Sequence, residues 1–228
     1  MKTRQEIKLQ AKTNMGKQRG TSILLVLLIF AIALVLALLR IIPILGWIIY
    51  VAGMCVLMVW IVNTNGEFIS VYKGEKASVD GVANRFPVNF WRKLGGMWWE
   101  ALWTFLWSLL FLVPGIVKSY SYFMTSYILA DCPDVTAKEA LKLSMRMTQG
   151  HKGKLFVMHL SFIAWLLLSA CTLYILLIVY VGPYMQATMA GYYVELRDQA
   201  LANGVIKPEE LGIVGTAEIN GNGPRPEN

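Results

Sequence analysis

The sequence predicts an all-α, polytopic transmembrane helical bundle of about six spans, with one amphipathic interfacial helix. Three observations predict it. Residues 21–42 carry no charge before Arg40 and, at about 1.5 Å per residue, are long enough to cross ~30 Å of hydrocarbon. Hydrophobic residues make up 56% of the chain and charged ones 15%, where soluble domains carry about 25% charged. Finally, sixteen of the 21 Lys and Arg fall in three segments, 1–20, 63–97 and 131–155. That is the distribution the positive-inside rule produces, so the net charge of +7 reads as topology rather than nucleic-acid binding.

The elements follow in order. Residues 1–20 form a basic cytoplasmic arm. The first apolar stretch is too long for a signal peptide and no small-x-small site follows it, so an uncleaved span is expected. A hairpin over 21–63 turns at Pro43 and Gly46, with Arg40 as a stop signal at the far interface. A cytoplasmic loop over 64–96 contains a run from Tyr72 to Asp80 too polar to cross a bilayer.

The next stretch decides the topology. As one helix, 97–130 would be about 50 Å long and would carry the basic 131–154 segment to the outside. Read as a hairpin over 97–131 turning at Pro114-Gly115, with Lys118 near its outer end, it returns that segment to the cytoplasm.

Over 132–153, Thr136 and Glu139 are spaced for a capping box. Lys138, Lys142 and Arg146 then recur every four residues, opposite a weakly apolar side of Ala137, Leu141, Ser144, Met145 and Thr148. This pattern predicts an amphipathic helix lying on anionic headgroups; an ordinary solvated connector is the alternative. A third hairpin over 154–200 is expected to be broken at Pro183, and the Gly- and Pro-containing 201–228 is expected to be disordered. Both termini are placed in the cytoplasm.

Glu100 is the main candidate for chemistry, because a charge inside a span is costly to bury. Glu100, Thr104 and Ser108 share one helix face, and Trp99, Trp103 and Trp107 form a neighbouring stripe. With Tyr122 and Ser126 they would form a polar seam between the third, fourth and sixth spans. The competing reading places Glu100 near the interface, reaching water or pairing with Arg92 or Lys93. Ala33-xxx-Ala37 and Ala187-xxx-Gly191 allow close helix contact. His151 and His159 are too few for a multi-histidine metal site, and Cys55, Cys132 and Cys171 suggest neither disulfides nor a metal knot. No HExxH, GxSxG, phosphate loop or paired-carboxylate motif occurs, so no catalytic, cofactor-binding or metal-binding residue is assigned.

Several stretches together resemble a known family. They are Arg4-Gln-Glu-Ile-Lys-Leu-Gln-Ala-Lys12, Pro114-Gly-Ile-Val-Lys-Ser-Tyr120, Tyr127-Ile-Leu-Ala-Asp131, and Ala140-Leu-Lys-Leu-Ser144 with Gly150-His-Lys152. Leu155-Phe156, Leu160-Ser-Phe-Ile-Ala-Trp165, Thr172, Pro183-Tyr184 and Tyr192-Tyr193 complete the order. The pattern is similar to the domain-of-unknown-function 975 family of bacterial integral membrane proteins, from Lys2 to about Leu201. It departs at Ala164 and Leu173, where glycines are expected. The resemblance implies a helical bundle in a bacterial plasma membrane and supplies no activity. In physical terms Pro114-Gly115 would make a hairpin tip, Trp165 would anchor the fifth span, and Pro183-Tyr184 would bend the sixth, opening a cavity toward Tyr122 and Ser126.

The leading functional expectation is a non-enzymatic scaffold or partner in envelope or export functions, resting on the basic arm, the surface helix, the tail and the small-residue pairs. Its partners would be the bilayer with its anionic headgroups, and a membrane protein or a second copy of the chain. A small-solute transporter or permease component is the alternative, resting on Glu100, the polar 119–126 arm and Pro183. Immunity to a membrane-active peptide is a third reading, which the sequence neither supports nor excludes.

Overall fold

The computed structural model describes residues 2–39, 41–42, 45–110, 112–172 and 174–212. The expectations for Arg40, Pro43 and 213–228 lie outside them. Among the described residues the fold is all helical: α1 (Arg4–Lys17), α2 (Arg19–Leu39), α3 (Leu45–Lys73), α4 (Val79–Arg85), α5 (Phe90–Leu110), α6 (Leu112–Tyr122), α7 (Thr125–Asp131), α8 (Ala137–Thr148), α9 (Lys152–Cys171) and α10 (Gly182–Ala202). A π-helical turn, Leu177–Val181, leads into α10, and a 3-10 turn, Pro208–Leu211, follows it.

Among the described residues three helices are long and apolar enough to span a membrane: Arg19–Leu39, Leu45–Lys73 and Lys152–Ala170. They stand among helices packed as three hairpins, α2 with α3, α5 with α6, and α9 with the π turn that leads into α10. Leu34, Ile48, Phe105, Leu109, Leu167 and Ile175 are all exposed toward the hairpin ends. Exposed apolar side chains in that number suit hydrocarbon rather than water, and mark a membrane protein.

The opposite end is a packed base. Ile7, Phe68, Tyr72, Ile128, Leu129, Met147 and Tyr193 are buried there, where α1, the last turns of α3, α7, α8 and α10 meet. The basic arm is therefore a docked helix. Thr3 and Glu6 cap it reciprocally, and Ile7, Ala11 and Met15 bury one face at four-residue spacing. On an adjacent face Gln10 and Asn14 donate amide hydrogens to the Tyr72 carbonyl at 3.2 and 2.8 Å, satisfying the end of α3.

Sequence expectation and structure differ in five places. The expected loop 64–96 is mostly helical. Helix α3 runs on to Lys73, about 43 Å in all. It does so because its buried polar residues find partners: Asn63 accepts from Lys93 (2.6 Å), Asn65 donates to Ser126 (3.1 Å), and Glu67 accepts from Ser78 N–H (2.9 Å) and pairs with Arg85 (3.2 Å).

Helix α5 ends at Leu110 and α6 begins at Leu112, so Pro114-Gly115 lies inside α6 rather than at a hairpin tip. Pro114 lies in the first turn of α6, where a missing N–H costs nothing. Gly115 packs on Ser108: a Cβ on it would lie 2.4 Å from Ser108 Oγ. Only glycine lets α5 and α6 approach this closely.

Pro183 does not break the last helix. The π turn absorbs it, with Gly182 N–H bonding to Leu177 O, and the helix continues to Ala202. Tyr184 packs its ring against Phe162 (5.4 Å) and Tyr180 (5.8 Å) rather than opening a cavity toward Tyr122 and Ser126.

Helix α8 does not lie with its apolar side in lipid. Ala140, Leu143, Ser144 and Met147 are buried against α5, α6 and α7. Its expected capping box is present. Of its basic residues, Lys138 Nζ sits 5.6 Å from a Trp99 ring, Arg146 pairs with Glu210 at 2.5 Å, and Lys142 is exposed.

Residues 203–212 are folded rather than disordered, with Ile206 and Leu211 buried. Arg146 holds them through Glu210 and the Val205 carbonyl.

Candidate functional site

Glu100 follows Met97 by one turn of α5, and Thr104 and Ser108 continue its face. This face borders a groove of about 710 Å³ bounded by α3, α5, α6 and α9. Ser119 and Tyr120 of α6 and His159 of α9 supply its other polar groups. Met58, Phe105, Ile116 and Phe123 supply apolar surface.

Among the described residues the Glu100 carboxylate has no cationic partner. Its Oε2 is buried and makes no hydrogen bond. The expected pairings with Arg92 or Lys93 do not form, because backbone and amide groups occupy both cations. The Arg92 guanidinium donates to the carbonyls of Leu129 (2.7 Å), Cys132 (3.1 Å) and Val135 (2.6 Å), closing the C-terminal end of α7. Lys93 Nζ donates to Asn63 Oδ1 and to the Arg85 carbonyl at 2.8 Å. Burial, reinforced by Arg92 and Arg85, pushes the Lys93 ammonium down to about 8.

The other groove groups are positioned locally. Ser108 Oγ donates to Thr104 O (2.8 Å) and Ser119 Oγ to Ile116 O (2.8 Å), each folded back on its own helix. His159 Nδ1 donates to Leu155 O at 3.0 Å, which leaves Nε2 as an acceptor. Its ring is held edge-on by Phe123 (4.9 Å) and Tyr120 (5.6 Å).

The structure thus gathers Glu100, Thr104 and Ser108, but not Tyr122 or Ser126. Tyr122 is buried away from the groove lining, and Ser126 bonds Asn65 between α3 and α7. Its walls come from the second, third, fourth and fifth predicted spans; none of its lining comes from the sixth. His159 is the member sequence reasoning missed; Ser119 and Tyr120 fall within the polar 119–126 arm it had named. The available signal was an ionisable side chain two turns inside a span, which was weighed only as a metal ligand. Among the described residues, no group of three His, Cys, Asp or Glu could hold a metal ion. Cys132 is buried in the base, where desolvation and the neighbouring Asp131 push its thiol up to about 11 and suppress its reactivity.

Residues 109–200 match the model of the family described as Protein of unknown function (DUF975). Over this stretch the chain is similar to the DUF975 family. The match runs from the end of α5 almost to the end of α10, a narrower range than the resemblance from Lys2 to Leu201. The matched segment contributes Ser119, Tyr120, Phe123 and His159 to the groove, while Glu100, Thr104 and Ser108 precede it. No curated protein and no solved structure matches the chain.

Proposed function

We propose that the chain is a non-enzymatic, multi-pass protein of a bacterial plasma membrane, and that its groove binds a small organic cation at Glu100. The three hairpins would make six crossings, with both termini and the packed base on the cytoplasmic side. The clustered Lys and Arg of the base support that orientation.

One observation carries the binding reading: a buried, unpartnered carboxylate oxygen borders a groove that also contains the rings of Tyr120, Phe123 and Phe105. A carboxylate with aromatic faces suits a cation whose charge is spread over an alkylated ammonium. This is a version of the solute-transporter reading, with α3 and α9 in place of the last span. The features behind the scaffold reading are largely used within the chain. Helix α1 is docked, α8 is covered, and Gly191 packs against Tyr72.

The test is binding of benzyltrimethylammonium to the full chain in detergent, followed calorimetrically. Glu100→Gln is expected to weaken it at least tenfold, about 1.4 kcal/mol. Equal affinity in the variant, or no binding by the native chain, overturns the assignment.

A further inference from the structure

We propose that the seam between the start of α1 and the start of α9 is a binding site for one anionic phospholipid. The inference needs α9 to cross the bilayer, as in the reading above, and does not depend on the groove at Glu100.

A cavity of about 460 Å³ lies between these helices. Its floor is apolar: Ile7, Met158 and Tyr192 are buried beneath it. Its rim is cationic, with Lys2, Arg4 and Lys154, and no carboxylate lines it. The Lys2 charge is matched by Glu195 at 2.7 Å. Arg4 and Lys154 are exposed and have no ion-pair partner among the described residues. Two free cations therefore face one opening. Gly153 lies between them with nothing within 4 Å of where its Cβ would be, which leaves room for a headgroup.

What continues from the cavity selects a lipid over a soluble anion. Val157 lines it and is itself exposed, and Leu160, Ile163 and Leu167 carry the exposed apolar track along α9 at helical spacing. From Val157 to Leu167 the track rises about 15 Å, a fair length for an acyl chain to lie along. A phosphodiester at Arg4 and Lys154 would place that chain on the track without leaving the bilayer. Charge on the rim and hydrocarbon below it match an anionic phospholipid in both parts. The headgroup contact expected of α8 is thereby assigned to α1 and α9.

Native mass spectrometry of the full chain in detergent, titrated with phosphatidylglycerol or phosphatidylcholine, tests this. The native chain is expected to retain one phosphatidylglycerol at concentrations where phosphatidylcholine is lost. Arg4→Gln with Lys154→Gln should reduce that occupancy at least fivefold. Val157→Glu, a single exposed change, should do the same by repelling the chain and phosphate together. Lys138→Gln with Lys142→Gln removes the same charge from α8 and should leave occupancy unchanged. Equal retention of the two lipids, undiminished binding by the double variant and V157E, or an equal loss in the α8 variant overturns the proposal. So does displacement of the lipid by millimolar inorganic phosphate, which would mark a soluble-anion site. Loss of benzyltrimethylammonium binding alone leaves this result unaffected.

Discussion

Gly191 lies directly against the ring of Tyr72: a Cβ on that glycine would sit 2.2 Å from Tyr72 Cε2. Both residues are buried, and the contact joins α10 to the last turn of α3 at the centre of the base. On its other side the Tyr72 hydroxyl donates to Glu195 Oε1 at 3.3 Å, so the ring cannot withdraw freely.

Gly191→Ala is therefore expected to destabilise the fold by about 1–3 kcal/mol through overpacking. Thermal unfolding in detergent measures it. Combining it with Tyr72→Ala should give less than the sum of the two single effects, because the added methyl then has space. Strict additivity would show that the two side chains do not compete for one volume.

Lys93 gives the base a pH dependence. Its ammonium titrates at about 8 when folded and, as a free lysine, at about 10.4 when unfolded. Between these values the unfolded chain binds more protons, so stability rises with pH across that window and is lowest below pH 8. Lys93→Met should flatten the rise in unfolding midpoint between pH 8 and 10. A slope retained in the variant would assign it to another group.

The proposed six-crossing topology predicts opposite labelling of two sites. In a background lacking Cys55, Cys132 and Cys171, a cysteine replacing Leu109, exposed near the second hairpin turn, should react with a membrane-impermeant maleimide on intact cells. A cysteine replacing Lys142 should react only after permeabilisation. Labelling of Lys142→Cys from outside would place the base on the other face. Gly115 is unsuitable as a reporter because Ser108 fills the space its side chain would need.

The sequence carried the class of the protein and the ends of several helices, because those depend on local pattern. Thr136 and Glu139 are three residues apart and cap one another as their spacing predicts. The fate of 64–73 was not legible, since a helix containing Asn63, Asn65 and Glu67 is stable only when Lys93, Ser126 and Arg85 arrive from elsewhere. Glu100, Thr104 and Ser108 could be placed on one face from their spacing alone. That His159 would join them across α6 and α9 depends on packing between helices. Helix α8 shows the same limit: its basic spacing was plain, but its apolar side was read as lipid-facing when other helices cover it.

Lys2 meets Glu195 across 193 positions of sequence, with Tyr72 bonded to the same carboxylate. The contact consequently has a clock. At about 5–20 residues per second, roughly 10–40 s separate synthesis of the two residues. For that interval α1 has no α10 to dock on, and its row of Ile7, Ala11 and Met15 stays without that cover. Helix α1 is made well before α10 and completes its docking only after it.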